Sequence, residues 1–91
     1  MGNFLKSKKS GMVGYKVNSR EDADKVIEYF KNKGSDLAWF NQDKWGMEVL
    51  ISEKELQRLE IRYYDVTKDL RADNVDIGIP GIYGDPHFTY L

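Results

Sequence analysis

The sequence predicts an α+β domain of the ferredoxin-like kind: an antiparallel four-stranded sheet in the order βαββαβ, with two helices on one face. Three observations carry this. Trp45, Met47, Val49 and Ile51 alternate with Gly46, Glu48 and Leu50, the period-2 pattern of a strand with one buried face. Ser52-Glu53-Lys54-Glu55 follows at once and forms a capping box that starts a helix. Upstream, Ala23, Val26, Ile27 and Phe30 recur at the spacing that puts them on one side of a second helix.

Taken in order, Met12 to Val17 form the first strand through Met12, Val13, Tyr15 and Val17. Ser19, with Asp22 three places on, starts the first helix, and Gly34 stops it by taking a left-handed conformation. Leu37–Asn41 and Lys44–Ile51 are the middle strands, joined through the polar turn Asn41-Gln42-Asp43 as antiparallel neighbours. The second helix, Glu53 to Glu60, turns Leu56 and Leu59 inward, and Ile61 to Val66 is read as the last strand from its β-formers. Alternating strands and helices of this length imply right-handed crossovers and one layer of helices.

The chain divides into a polar, lysine-rich leader at 1–10, the core at 11–70, and an extended apolar tail or connecting segment at 71–91. Within the tail Val75, Ile77 and Ile79 alternate, while Gly78, Pro80, Gly81, Gly84 and Pro86 interrupt regular structure. Ile82, Tyr83, Phe88, Tyr90 and Leu91 are too apolar for an idle tail, so it either packs back along the domain or lies on something else.

Composition narrows the function. With 91 residues the chain makes one small domain, which buries only ~60–65% of its unfolded surface. It has no cysteine, so neither a disulfide nor a cysteine zinc site is available. A net charge of −1 argues against a polyanion as main partner, and the Lys/Arg-Gly-Phe/Tyr pattern of RNA-binding sheets is missing beside Tyr15, Trp39 and Trp45. His87 stands alone, so neither a histidine metal site nor a Ser–His–Asp triad is supported. Glu21, Asp22, Asp24, Glu53 and Glu55 sit at helix starts, where negative charge satisfies free amides. Gly78 to Gly84 lacks the following helix that a phosphate loop needs, and Arg20 is thin support for an anion site of the acylphosphatase type. No catalytic residue, metal, cofactor or membrane span is expected.

What is left is hydrophobic. Trp39 and Phe40 are adjacent in a strand and point to opposite faces, so one of them needs cover outside the core. Trp45 opens the next strand beside the turn. A helix-free sheet face bearing an aromatic, together with an apolar tail, points to contact with another protein.

The core also resembles the activation domain, or propeptide, of pancreatic-type zinc metallocarboxypeptidases. The resemblance runs over Tyr15-Lys16-Val17, the helix from Asp24 to Phe30, Leu37-Ala38-Trp39-Phe40, Met47-Glu48-Val49-Leu50-Ile51, Ile61-Arg62-Tyr63-Tyr64-Asp65-Val66 and Asp69-Leu70. The tail residues Phe88-Thr89-Tyr90 are similar to the opening of the enzyme domain, while Ser52 stands where the family has proline. The resemblance implies a domain that covers a protease active site and holds it inactive until the connection is cut. On this view Asp43 mimics a substrate carboxylate, Trp39 and Trp45 flank it, and Arg71 is the cleavage site; Tyr83, Phe88 and Tyr90 are expected as further protein contacts from the apolar character of the tail alone.

The expected function is therefore a protein-binding domain without enzymatic activity, a protease inhibitor of the propeptide type. The alternative is an intracellular adaptor, viral or bacterial, whose tail from Ile77 to Leu91 is a binding peptide or a segment swapped between protomers of a homo-oligomer. No secretory signal opens the chain, which reads as cytoplasmic, whereas the resemblance implies secretion.

Overall fold

The computed structural model describes residues 11–83. Four strands form one antiparallel sheet: β1 (Met12–Val17), β2 (Trp39–Asp43), β3 (Gly46–Ser52) and β4 (Gly81–Ile82), in the order β2-β3-β1-β4. Three helices accompany it: α1 (Arg20–Asn32), α2 (Glu53–Leu59) and α3 (Tyr63–Ala72).

The pairing explains the alternation in the sequence. Val13 faces Ile51, Tyr15 faces Val49 and Val17 faces Met47 between β1 and β3, and Phe40 faces Val49 between β2 and β3. These side chains share the face that packs on the helices, where Ala23, Val26 and Phe30 of α1, Leu56 of α2, and Val66 and Leu70 of α3 complete the core. The Tyr15 and Phe30 rings meet at 6.0 Å between centroids. Tyr15 also donates its hydroxyl to the Tyr63 carbonyl at 2.9 Å, so a fully buried phenol keeps its hydrogen bond.

Both sequence-legible helix starts are realised. Ser19 Oγ accepts the Asp22 amide and Ser52 Oγ accepts the Glu55 amide, each at 3.0 Å, which satisfies one of the free donors at each N-terminus.

The fold departs from expectation after Glu60. Residues 61–66 are not a strand: α3 occupies 63–72, so the described residues hold three helices rather than two. Tyr63, Val66, Thr67 and Leu70 fall on one face at helical spacing, and burying that stripe outweighs the β-preference of the individual residues. The fourth strand comes instead from further along. Val17 bridges Ile77, Gly78 N–H donates to the Lys16 carbonyl at 2.8 Å, and Gly81 and Ile82 pair with Gly14 and Val13. Val75, Ile77 and Ile82 are buried in the core, so the domain extends well beyond residue 70. Thr67 Oγ1 donates to the Gly78 carbonyl at 2.9 Å, and Arg71 Nε donates to the Ile77 carbonyl at 2.8 Å, which fasten this return segment to α3. No helix among the described residues is long and apolar enough to cross a membrane.

Candidate functional site: the β2–β3 hairpin and its neighbours

The turn between the middle strands lies later than the sequence reading placed it. β2 continues through Asn41-Gln42-Asp43, and Lys44-Trp45 make the reversal, with Asp43 pairing Gly46. Two local devices produce this. Asp43 Oδ1 accepts the Trp45 amide at 2.9 Å, a side chain standing in for a backbone acceptor, and Gly46 takes φ 121°, open only to glycine. The Trp45 side chain is therefore carried at the hairpin tip, 68% exposed, with the Lys44 ammonium 4.7 Å from its ring centroid. That cation–π contact favours this placement of the indole by ~0.5–1 kcal/mol without burying it.

Trp39 and Phe40 divide as their adjacency demands. Phe40 packs against the core on the helix side, with the Arg20 guanidinium 4.2 Å over its ring. Trp39 is half-buried on the helix-free face, the face it shares with Asn41 and Asp43. Across that face Asn41 lies opposite Glu48, and Glu48 opposite Lys16. Glu48 is buried, and the Tyr83 hydroxyl lies 2.7 and 2.9 Å from its two carboxylate oxygens. A buried carboxylate in a sheet face is costly unless donors meet it, and Tyr83 is one that does.

The hairpin is held at its base by a second polar cluster. Ser35 Oγ donates to Glu55 Oε2, and Arg58 grips both oxygens of the same carboxylate at 2.9 and 2.6 Å. Arg58 also donates to the Gly34 carbonyl, and Ser35 Oγ accepts the Leu37 amide. The Arg58 and Ser35 hydrogen bonds hold the Glu55 carboxyl down at about 2, below the usual range. The cluster ties α2 to the loop that enters β2 and so sets the position of the hairpin. On the far side, the Tyr29 hydroxyl donates to Asp69 at 2.7 Å, joining α1 to α3, and burial together with that carboxylate raises its pKa.

The sequence-predicted site residues separate into places. Asp43 and Trp45 come together at the tip, while Trp39 lies at the other end of β2, about 13 Å along the strand. Tyr83 belongs to the β4 side of the sheet. Phe88 and Tyr90 lie outside the described residues, as does His87. Arg71 sits in the last turn of α3 with its guanidinium engaged by Ile77, so a protease could take this bond into an extended conformation only by unwinding the helix.

Sequence reasoning missed a groove of about 510 Å³ between α2 and α3, lined by Leu56, Ile61, Tyr63 and Tyr64 with Glu53, Gln57 and Arg62 at its margin. The Tyr63 and Tyr64 rings lie 4.6 Å apart there, and Tyr64 is half exposed. Only reading residues 63–72 as a helix would have revealed it. Leu37 and Ile79 are further exposed apolar residues. Among the described residues no group of three or more His, Cys, Asp or Glu side chains could hold a metal ion.

Comparison with protein-family models, with curated proteins and with solved structures returns no match to this chain.

Proposed function

We propose that the domain acts by docking on another protein through the β2–β3 hairpin, with Trp45 as its anchor and Asp43 beside it. The observation that carries this reading is the indole at the tip: two-thirds exposed, with the Lys44 ammonium over its ring and its backbone amide fixed by Asp43. An exposed tryptophan carried on a turn whose backbone is already fixed loses less freedom on binding than one on a mobile loop, which favours an interface hot spot. The Glu55–Arg58–Ser35 cluster, in which Glu55 and Ser35 are buried under an exposed Arg58, adds to this by fixing the base on which the hairpin stands.

We also read the strand order β2-β3-β1-β4 as the ferredoxin-like arrangement with its second crossover built from α2 and α3 instead of one helix. Under this reading the concrete partner to test is the active-site cleft of a pancreatic-type zinc carboxypeptidase, the chemistry that the resemblance implies for Asp43. The purified domain should inhibit such an enzyme. Asp43→Ala and Trp45→Ala should each weaken inhibition about tenfold or more while leaving the melting transition in place. Absence of inhibition at about 50 μM domain would remove the carboxypeptidase partner from the proposal.

A further inference from the structure

Among the described residues the outer edge of β2 is unpaired. β3 pairs one side of it, and no backbone group among the described residues outside β3 bonds to residues 39–42. The two-residue turn makes Asp43 and Gly46 a hydrogen-bonded pair. By alternation Phe40 and Gln42 then turn their N–H and C=O groups outward, along a strip of edge ready to accept another strand.

At the middle of that edge sits a polar group with an unmet need. Asn41 Nδ2 is shielded from solvent and finds no acceptor among the described residues. A shielded amide donor without an acceptor is a cost that folded proteins rarely carry unless a partner meets it.

We infer that β2 pairs with β2 of a second copy of this chain, antiparallel about a two-fold axis passing beside Asn41. This register is the one in which the edge complements itself. Phe40 and Gln42 of one copy exchange backbone hydrogen bonds with Gln42 and Phe40 of the other. Asn41 then faces Asn41 of the second copy as a non-hydrogen-bonded pair, the arrangement that brings opposing side chains closest. A rotation of each side chain lets the two carboxamides satisfy each other. Trp39 of each copy stands opposite Asp43 of the other, so the half-buried indole gains cover.

The helices leave room for this. α1 packs over β3, flanked by β1 and β2, so its axis stands about one and a half strand spacings from the two-fold axis. The two α1 helices would lie about 14 Å apart, beyond the 8–10 Å of direct helix packing, with Phe40 and Arg20 between them. Five residues of edge make a small interface, so the association is weak: dimer at about 1 mM and monomer near 10 μM. The sheet would become eight-stranded, with both hairpin tips exposed. Self-pairing thus leaves Trp45 free for the proposed docking, while Asp43 is shared between the two.

The test is sedimentation equilibrium on the full chain across that concentration range, with wild type, Asn41→Asp, Asn41→Lys and an equimolar mixture of the two variants. Each variant alone sets like charges across the axis and should remain monomeric, while the mixture should associate at least tenfold more tightly than either component. Trp45→Ala should dimerise as wild type does. Gln42→Pro provides a second route: it removes an outward N–H at an exposed edge position, and should keep a cooperative thermal transition while losing the dimer. A wild-type chain that stays monomeric at about 1 mM, or a mixture no heavier than its parts, would overturn the inference.

Discussion

Each of the three helices ends in the same way, with a left-handed residue followed by a backbone bond that reaches back five residues. Gly34 at φ 106°, Glu60 at φ 59° and Asn74 at φ 65° are the reversing residues. Ser35, Ile61 and Val75 then donate their amides to the carbonyls of Phe30, Leu56 and Leu70 at 2.9, 3.0 and 3.0 Å. This satisfies carbonyls that the helix itself leaves open. Only Gly34 is the residue such a stop prefers, and Glu60 is the most strained of the three. Replacing Glu60 with glycine relieves ~1–2 kcal/mol of left-handed strain at an entropic cost of ~0.5–1 kcal/mol. Glu60→Gly is therefore expected to stabilise the domain by about 0.5–1 kcal/mol in denaturant titration. Gly34→Ala should lose about 1 kcal/mol through torsion alone, because the added Cβ would find Leu59 Cδ2 at an ordinary 3.8 Å.

The Glu55 carboxyl makes a second prediction at this scale. Its pKa is lowered in the fold, so its contribution is complete above the ordinary 4.5 and disappears as the pH falls toward about 2. Glu55→Gln should melt below the wild type at neutral pH, and the gap between the two should close on acidification through that window. A gap that persists unchanged at the acid end would assign the effect to packing instead of charge.

At the level of elements, the sequence was legible wherever one period dominated. β1, α1, β3 and α2 each show either strict alternation or a 3,4 stripe with a capping serine, and each appears where expected. The segment after Glu60 was not legible, because Ile61, Tyr63, Tyr64, Val66 and Thr67 are all good strand residues. The helical stripe among them becomes visible only when Leu70 is included. The groove between α2 and α3 was hidden for the same reason, while the β2–β3 hairpin was readable as a hairpin but with its turn at 41–43 instead of at Lys44-Trp45. Two substitutions separate the periods. A strand would put Tyr64 and Val66 on one face, whereas α3 leaves Tyr64 half exposed and Val66 fully buried. Val66→Ala is expected to cost about 2–3 kcal/mol and Tyr64→Ala less than about 0.5 kcal/mol, both measured by chemical denaturation.

For the molecule as a whole, the decisive matter is how much of the core arrives last. Val75, Ile77 and Ile82 are no more than 6% exposed, and they close the sheet edge beside β1 and the space under α3. Burying side chains of this size stabilises by about 1.5–3 kcal/mol each, roughly 5–9 kcal/mol together. A 91-residue domain has about 5–14 kcal/mol in total. The return segment also supplies hydrogen-bond partners: the Ile77 and Gly78 carbonyls for Arg71 and Thr67, and the Asp76 carboxylate for Asn18. Removing residues 73–91 strips away most of the available stability and exposes the inner edge of β1. The truncated chain should show no cooperative melting transition and little slow amide exchange in β1, even though every residue of β1, α1, β2 and β3 is still present. A truncated chain that melted sharply near the wild-type temperature would mean that β2, β3, β1 and the three helices form a self-sufficient unit, with β4 an appendage.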